Sequence, residues 1–435
     1  MPHANQGRAF LALFLFLNLS LATAGCSGGA APAQAAEAKS DRPRQQAPNV
    51  PAQDLEALAE GNTDFALDLY KILAQNDGNL FYSPYSISLA LAMTYSGART
   101  VTEQEMAQAM HFLLEQEQLH PAFNALDQDL ATRGDGFPED LEERVFQLNV
   151  ANAIWGQQEF EFLQPFLELL AENYGAGLRL LDFEQDPETA RLTINDWVSE
   201  QTQEKIQDLI PQGALNPMAR LVLTNAIYFN AGWELPFEDA LTEDAPFTLL
   251  DGTQINTPMM FQSEMMDYAE GDGYQAVRLP YVGRDVEMLV LLPDEGQFDA
   301  FEAGLDAEKL VNILSNTHPM TVNLALPKFS YESEFNLNEA LIAMGMPSAF
   351  GYDADFSGMT GEDDLFISDV LHKAFVDVDE NGTEAAAATA VIMELKALMV
   401  EDEVEMRVDR PFLFAIRDVP TGTLLFVGRV LNPGS

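Results

Sequence analysis

Val376-Asp-Val-Asp-Glu-Asn-Gly-Thr-Glu-Ala-Ala-Ala-Ala-Thr-Ala-Val-Ile392 decides how the rest of this chain is read. It joins a strand-like alternation to an acidic turn and then to a run of tiny side chains. Glu380, Asn381 and Gly382 can turn the chain, and Thr383, Ala385, Ala387 and Thr389 then recur with a period of two. If that run becomes a strand, one of its faces carries only small groups. Such a strand fits between two packed neighbours without overfilling a core. Four consecutive alanines are also good helix formers, so composition leaves both readings open at this point.

The 435 residues suffice for two or three ordinary domains or for one large unit with a substantial core. With 69 acidic and 22 basic residues the formal net charge is -47, and seven of the basic residues are lysine. That balance argues against nucleic acid as a partner. A surface so acidic repels itself until salt shortens the Debye length. Concentrated salt is therefore the expected environment, with an ordinary acidic secreted protein as the alternative.

Cys26 is the single cysteine, which excludes an internal disulfide framework and a cysteine-based zinc site. Arg8 precedes the apolar run Ala9-Phe-Leu-Ala-Leu-Phe-Leu-Phe-Leu17, which continues through Leu19 and Leu21 to Thr23-Ala-Gly-Cys26. Charge, apolar core and small residues in that order make an export signal over residues 1–25. Its end resembles a bacterial lipoprotein signal, which implies lipidation of Cys26 and a membrane as partner; Thr23 stands where an aliphatic residue is usual. Plain secretion and an uncleaved anchor are the alternatives. Residues 26–53, rich in Gly, Ala, Pro and Gln, read as a flexible tether ahead of one folded unit over 54–435.

Within that unit Phe65-Ala-Leu-Asp-Leu-Tyr-Lys-Ile-Leu73 has apolar residues at helical spacing, and Ile87–Met93 reads as a buried helix after Ser83-Pro84. Leu221–Phe229, Val286–Leu292 and Leu424–Gly428 read as strands. Helices come mostly early and strands mostly late, which predicts an α+β architecture.

Separated blocks then run in a telling order. They are Asn79-Leu-Phe-Tyr-Ser-Pro-Tyr-Ser-Ile87, Thr193-Ile-Asn-Asp-Trp-Val198, Lys205-Ile-Gln-Asp-Leu-Ile-Pro211 and Leu223-Thr-Asn-Ala-Ile-Tyr-Phe229 with Gly232-Trp233. Asp355-Phe-Ser-Gly-Met-Thr360, Val370-Leu-His-Lys-Ala374, Asp409-Arg-Pro-Phe-Leu-Phe414 and Phe426-Val-Gly-Arg-Val430 follow. Together with Glu380-Asn-Gly-Thr-Glu-Ala-Ala-Ala-Ala388 they resemble the serpins over nearly all of residues 54–435. The resemblance implies helices around a large central mixed or antiparallel sheet, with an exposed reactive-centre loop that inserts into the sheet after a protease cuts it.

What else it implies is residue-specific. Glu380, Gly382, Thr383, Glu384, Ala385, Ala386, Ala387, Ala388 and Thr389 would form the hinge. Ser83, Ser86, Asn225 and His372 would form a polar cluster where the central strands part, and Trp233 would cap the upper end of the opening. Counting sixteen positions from Glu380 puts the scissile bond at Lys396-Ala397, which suits a trypsin-like serine protease. Met393, Leu395, Leu398 and Met399 would suit chymotrypsin-like or subtilisin-like enzymes if the bond lies one or two residues away. The expected activity is suicide-substrate inhibition by a monomer; a non-inhibitory surface-binding serpin is the alternative.

Catalysis finds no support, because no Gly-x-Ser-x-Gly elbow, His-Glu-x-x-His pair or Gly-rich phosphate loop is present. Asp353–Asp364 partly matches a calcium loop, with Gly358 at its sixth place, but ends in Asp364 where a longer Glu is required. No metal and no cofactor is expected.

Overall fold

The computed structural model describes residues 35–137, 146–383 and 403–434. Two sheets organise them. The first has seven strands in the order β1 (Ala36–Ala38), β4 (Leu178–Leu181), β3 (Gln147–Gln157), β5 (Leu221–Gly232), β13 (Gly382–Thr383), β12 (Ile367–Val378) and β11 (Phe329–Asn336). The second runs β14 (Glu403–Arg407), β10 (His318–Pro327), β7 (Gln254–Gly271), β8 (Tyr274–Pro280), β9 (Val286–Pro293), β15 (Phe412–Asp418), β16 (Leu424–Val430) and β2 (Leu80–Tyr82), with β6 (Glu243–Thr248) paired to β7.

The first sheet is covered on both faces, so its middle strands are apolar almost throughout. In β5 eleven of the twelve residues are buried, Asn230 being the exception. Behind it lies α2 (Pro84–Tyr95), preceded in the chain by α1 (Ala52–Leu73). Every residue of α2 is buried, as expected of a helix with no polar stripe. Ser83 starts it: the side-chain oxygen accepts from the Ser86 N–H at 3.1 Å, and Pro84 sets the first helical φ. Farther along come α3 (Thr100–Ala109), α4 (Gln116–Leu130), α5 (Gln164–Tyr174) and α6 (Pro187–Gln201). In front of the sheet, α6 and the segment after it close a second core, in which Ile194, Val198, Ile206 and Leu209 pack on Trp155, Val222 and Ala226.

β5 and β12 run parallel and are paired from Leu221 opposite Ile367 to Ile227 opposite Ala374. Beyond that row they separate. Gly382 and Thr383 occupy the gap, with Thr383 opposite both Ala231 of β5 and Val378 of β12.

One expectation differs from the structure. The composition of residues 26–53 predicts a flexible tether, yet within them β1 pairs antiparallel with β4 along the sheet edge. Arg44 then bonds Asn124 at 2.7 Å and Asp127 at 2.6 Å, and the Gln45 N–H donates to the Glu172 carbonyl at 2.8 Å. The attachment uses backbone groups and two cations, Arg42 on Glu168 and Glu172 and Arg44 on Asp127, in an acidic chain. It leaves no hydrophobic period to read.

Candidate functional site

The expected hinge begins as a tight turn after β12. The Asp379 side chain accepts from the N–H groups of Asn381 (2.8 Å) and Gly382 (3.3 Å), and the Asp379 N–H donates back to the Gly382 carbonyl at 3.0 Å. A Cβ at Gly382 would collide with the Ala231 carbonyl oxygen, so only glycine lets the turn come this close to β5. Trp233 holds the turn twice, its backbone N–H on the Asn381 carbonyl (2.8 Å) and its indole N–H on the Asp379 carbonyl (2.9 Å). Its ring stacks on Tyr281 with centroids 4.6 Å apart.

Glu380 is anchored on the other side. Its carboxylate accepts from the Lys328 ammonium at 2.6 Å and the Thr242 hydroxyl at 2.7 Å, and its carbonyl accepts from the Phe237 N–H. Burial pushes the carboxyl up, but those two donors outweigh it and hold Glu380 below the usual glutamate range. Thr383 is 1% exposed and shares a hydrogen bond with the Tyr281 hydroxyl at 2.7 Å.

Farther down the same two strands, His372 and Asn225 are opposite one another across the β5–β12 pairing. The Ser83 N–H donates to His372 Nε2 at 3.2 Å, so the imidazole proton sits on Nδ1 and is donated to Asn225 Oδ1. Asn225 Nδ2 donates to Ser86 Oγ at 2.6 Å and also to Asn152, while Asn152 donates to the Ser86 carbonyl at 2.9 Å. Burial lowers the His372 pKa to about 3, and the ring is neutral at any ordinary pH. The cluster therefore ties three strands to the start of α2 through exchangeable hydrogen bonds and no charge.

Ser83, Ser86, Asn225 and His372 are thus together, and Trp233 sits at the upper end beside Glu380, Gly382 and Thr383. Glu384, Ala385, Ala386, Ala387, Ala388, Thr389, Lys396, Ala397 and Cys26 lie outside the described residues. The calcium-like loop spends its Asp355 carboxylate on Ser357 (2.7 Å) and Thr100 (2.8 Å). Among the described residues no group of three His, Cys, Asp or Glu side chains is placed to hold a metal ion.

Four residues that serve the site were missed: Asn152, Thr242, Tyr281 and Lys328. Asn152 interrupts an otherwise apolar alternation in β3, and a buried asparagine needs a partner; that was the available signal. Lys328 is one of only seven lysines. Nothing local marks Thr242 or Tyr281, because both are brought to the hinge by chain folding alone.

Comparison with known proteins bears on this geometry. The model of the family described as Serpin (serine protease inhibitor) matches residues 60–433. An uncharacterized serpin-like protein of Thermococcus kodakarensis is 40% identical over 393 residues, covering 88% of this chain and 89% of the relative. The leukocyte elastase inhibitor of Bos taurus is also 40% identical, over 87% of this chain and all of its own length. Among solved structures, the thermophilic serpin tengpin in its native state superposes with a TM-score of 0.80 at 30% identity, covering 92% of this chain and 100% of tengpin. Uncleaved ovalbumin follows at 0.76 and 26%, over 87% of this chain and 100% of ovalbumin.

Proposed function

This chain belongs to the serpin family of serine protease inhibitors, and from that premise we propose that it traps a trypsin-like serine protease as a suicide substrate. The target serine attacks the Lys396 carbonyl, the Lys396-Ala397 bond breaks with Ala397 as the new amino terminus, and an acyl-enzyme forms. The freed loop then enters the seven-stranded sheet between β5 and β12 and carries the protease with it.

The observation that carries this reading is the seat of Gly382 and Thr383. They already pair with β5, and Thr383 also faces β12, antiparallel to both. Continued without a bulge, this register sets position 389 opposite Asn225 and His372, where a threonine hydroxyl can take over the hydrogen bonds that the two residues give up. Positions 385 and 387 face the α2 side as alanines, so the inserted strand asks for little volume. About a dozen newly paired residues at ~0.5–1.5 kcal/mol per hydrogen bond release on the order of 10 kcal/mol. That is enough to distort the enzyme, since losing oxyanion-hole geometry alone slows acyl transfer by about 10²–10³.

A second target class draws on the relatives named as leukocyte elastase inhibitors. An elastase has a small specificity pocket and would cut after a small neighbour such as Ala397 instead of after Lys396. Residues 1–25 fit an export signal, and on this reading the monomer acts in the extracellular space or on a membrane through lipidated Cys26, in concentrated salt. Mass analysis of the mature amino terminus tests the anchor: a diacylglyceryl Cys26 supports it, and a chain starting elsewhere refutes it.

The direct test mixes the protein with trypsin in low and in molar salt and examines the products by denaturing gel and intact mass. A covalent complex lacking Ala397–Ser435 is expected. Cleavage of folded protein with no complex, followed by a rise in thermal stability, means that trypsin is the wrong enzyme. Cleavage with no rise means that the loop does not insert and that the chain is a non-inhibitory binding protein.

A further inference from the structure

Asn381-Gly382 is the one Asn-Gly pair in the chain, and it lies in the turn that seats the hinge. Asparagine is a chemically labile residue. It is most exposed to self-reaction when glycine follows, because no side chain then screens the next backbone nitrogen from the asparagine amide carbon. Nothing can be changed at the second position. A Cβ on residue 382 would collide with the Ala231 carbonyl oxygen and crowd the Gly232 backbone, so β13 requires glycine there. The asparagine before it is therefore what makes the pair reactive.

What restrains the reaction surrounds the peptide group between the two residues. Its carbonyl, from Asn381, accepts from the Trp233 N–H at 2.8 Å, and its N–H, from Gly382, donates to the Asp379 carboxylate at 3.3 Å. Next to it, the Gly382 carbonyl accepts from the Asp379 N–H at 3.0 Å, and the Trp233 indole and the Tyr281 hydroxyl hold the turn and Thr383. The half-buried Asn381 side chain, by contrast, has no hydrogen-bond partner among the described residues. Ring closure needs the Gly382 nitrogen to give up its proton and turn toward Asn381 Cγ. That rotates the peptide plane which Trp233 and Asp379 fix from its two ends. The reaction therefore runs from molecules whose hinge has locally lifted.

We propose that Asn381 is a self-modification site, which converts a transient lifting of the hinge into permanent loss of its seat. The Gly382 nitrogen bonds to Asn381 Cγ, the Cγ–Nδ2 bond breaks, and the amide leaves as ammonia with the proton that the Gly382 nitrogen gave up. The product is a five-membered succinimide. Water then adds to one of its two carbonyls and opens the ring to aspartate or isoaspartate. In isoaspartate the main chain runs through the former side-chain carbons, one carbon longer, and a new carboxylate stands beside Asp379. A turn lengthened in this way cannot restore the Trp233 and Asp379 hydrogen bonds together, so the clamp that slows the reaction does not re-form after it. The modification stands apart from the protease reading; its outcome for the inhibitor rests on that reading, because a molecule without the seat would be cut without trapping.

The test ages the full chain in mildly alkaline buffer, folded and unfolded in urea, as wild type, Asn381→Gln, Trp233→Phe and Tyr281→Phe. Peptide mass mapping follows conversion of amide to acid at position 381, and labelling by an isoaspartyl methyltransferase counts the isoaspartate. Folded wild type is expected to convert far more slowly than the unfolded chain. Trp233→Phe and Tyr281→Phe each lose one hydrogen bond of the seat and are expected to convert about 2- to 10-fold faster than folded wild type. Converted molecules should lose hydrogen-exchange protection at the Thr383 amide and be cut by trypsin without forming a complex, whereas aged Asn381→Gln keeps the protection and the complex yield it started with. An Asn381 that stays unreacted in urea overturns the site. Equal rates folded and unfolded overturn control by the seat, and full Thr383 protection in converted protein overturns the loss of the seat. Absence of complex from fresh wild type overturns the trapping reading alone, since conversion and exchange are read without a protease.

Discussion

Tyr281 and Thr383 share a 2.7 Å hydrogen bond between hydroxyls that are both sealed from solvent, and this bond sets how deeply the hinge is seated before any protease arrives. Tyr281→Phe leaves the Thr383 hydroxyl buried without its partner, at a cost of about 1–3 kcal/mol. The expected result is a lower urea midpoint for the intact protein with an unchanged slope.

Thr383→Arg asks the same site to bury a long cation beside the Tyr281 hydroxyl. On the proposed mechanism the loop beyond Thr383 then fails to insert, and the protein is expected to be cut by its target and to release it. Digestion in place of covalent complex is the expected readout; a stable complex of undiminished yield would show that trapping does not depend on this residue.

Gly382→Ala acts on the backbone beside it. A methyl group there meets the Ala231 carbonyl oxygen and the Gly232 backbone, so β13 must lift off β5. Loss of protection at the Thr383 amide in hydrogen exchange is the expected signature, together with slower trapping.

Glu380→Lys reverses the charge facing Lys328, whose side chain is 36% exposed against 8% for Glu380. Partial exposure moderates the cost, which should be roughly 2–3 kcal/mol by denaturant titration. In the wild type the pair's contribution is complete above the ordinary glutamate range and is lost as pH falls through the lowered Glu380 pKa. Lys328→Glu in the Glu380→Lys background should recover part of the loss.

Acid acts earlier through the histidines. His372 and His120 are both buried with pKa values lowered to about 3, whereas in the unfolded chain they titrate near 6.5. Their neutral forms favour folding fully above that value, and stability falls as pH drops from about 6.5 toward 3, by up to about 1.4 kcal/mol per pH unit for each ring. The urea midpoint should decline across that window. His372→Gln should flatten the decline, because an amide keeps hydrogen-bonding capacity without taking a proton.

These residues show where the sequence was readable. Ser83-Pro84 followed by an unbroken apolar run announces α2, and the apolar stretch of β5 announces a strand buried on both sides, because each signal is local. Placing His372 beside Asn225 took the family resemblance, since the two are 147 positions apart. Thr242, Tyr281 and Lys328 escaped for the same reason: a side chain that serves the hinge from a different strand or turn leaves no pattern in its own neighbourhood.

Arg44 is the sharpest case of an unreadable contact, and it carries the last prediction. It lies in a segment of tether-like composition, yet its guanidinium is bonded to Asn124 and Asp127, and Asp127 also accepts from the Tyr85 hydroxyl at 3.0 Å at the start of α2. Arg44→Ala removes the cation paired with that carboxylate and leaves Asp127 facing the Tyr85 hydroxyl. A loss of about 1–2 kcal/mol is expected, with faster exchange of the Gln45 amide and of the β1 amides. If residues 35–47 were the flexible tether their composition suggests, neither the stability nor the exchange would change.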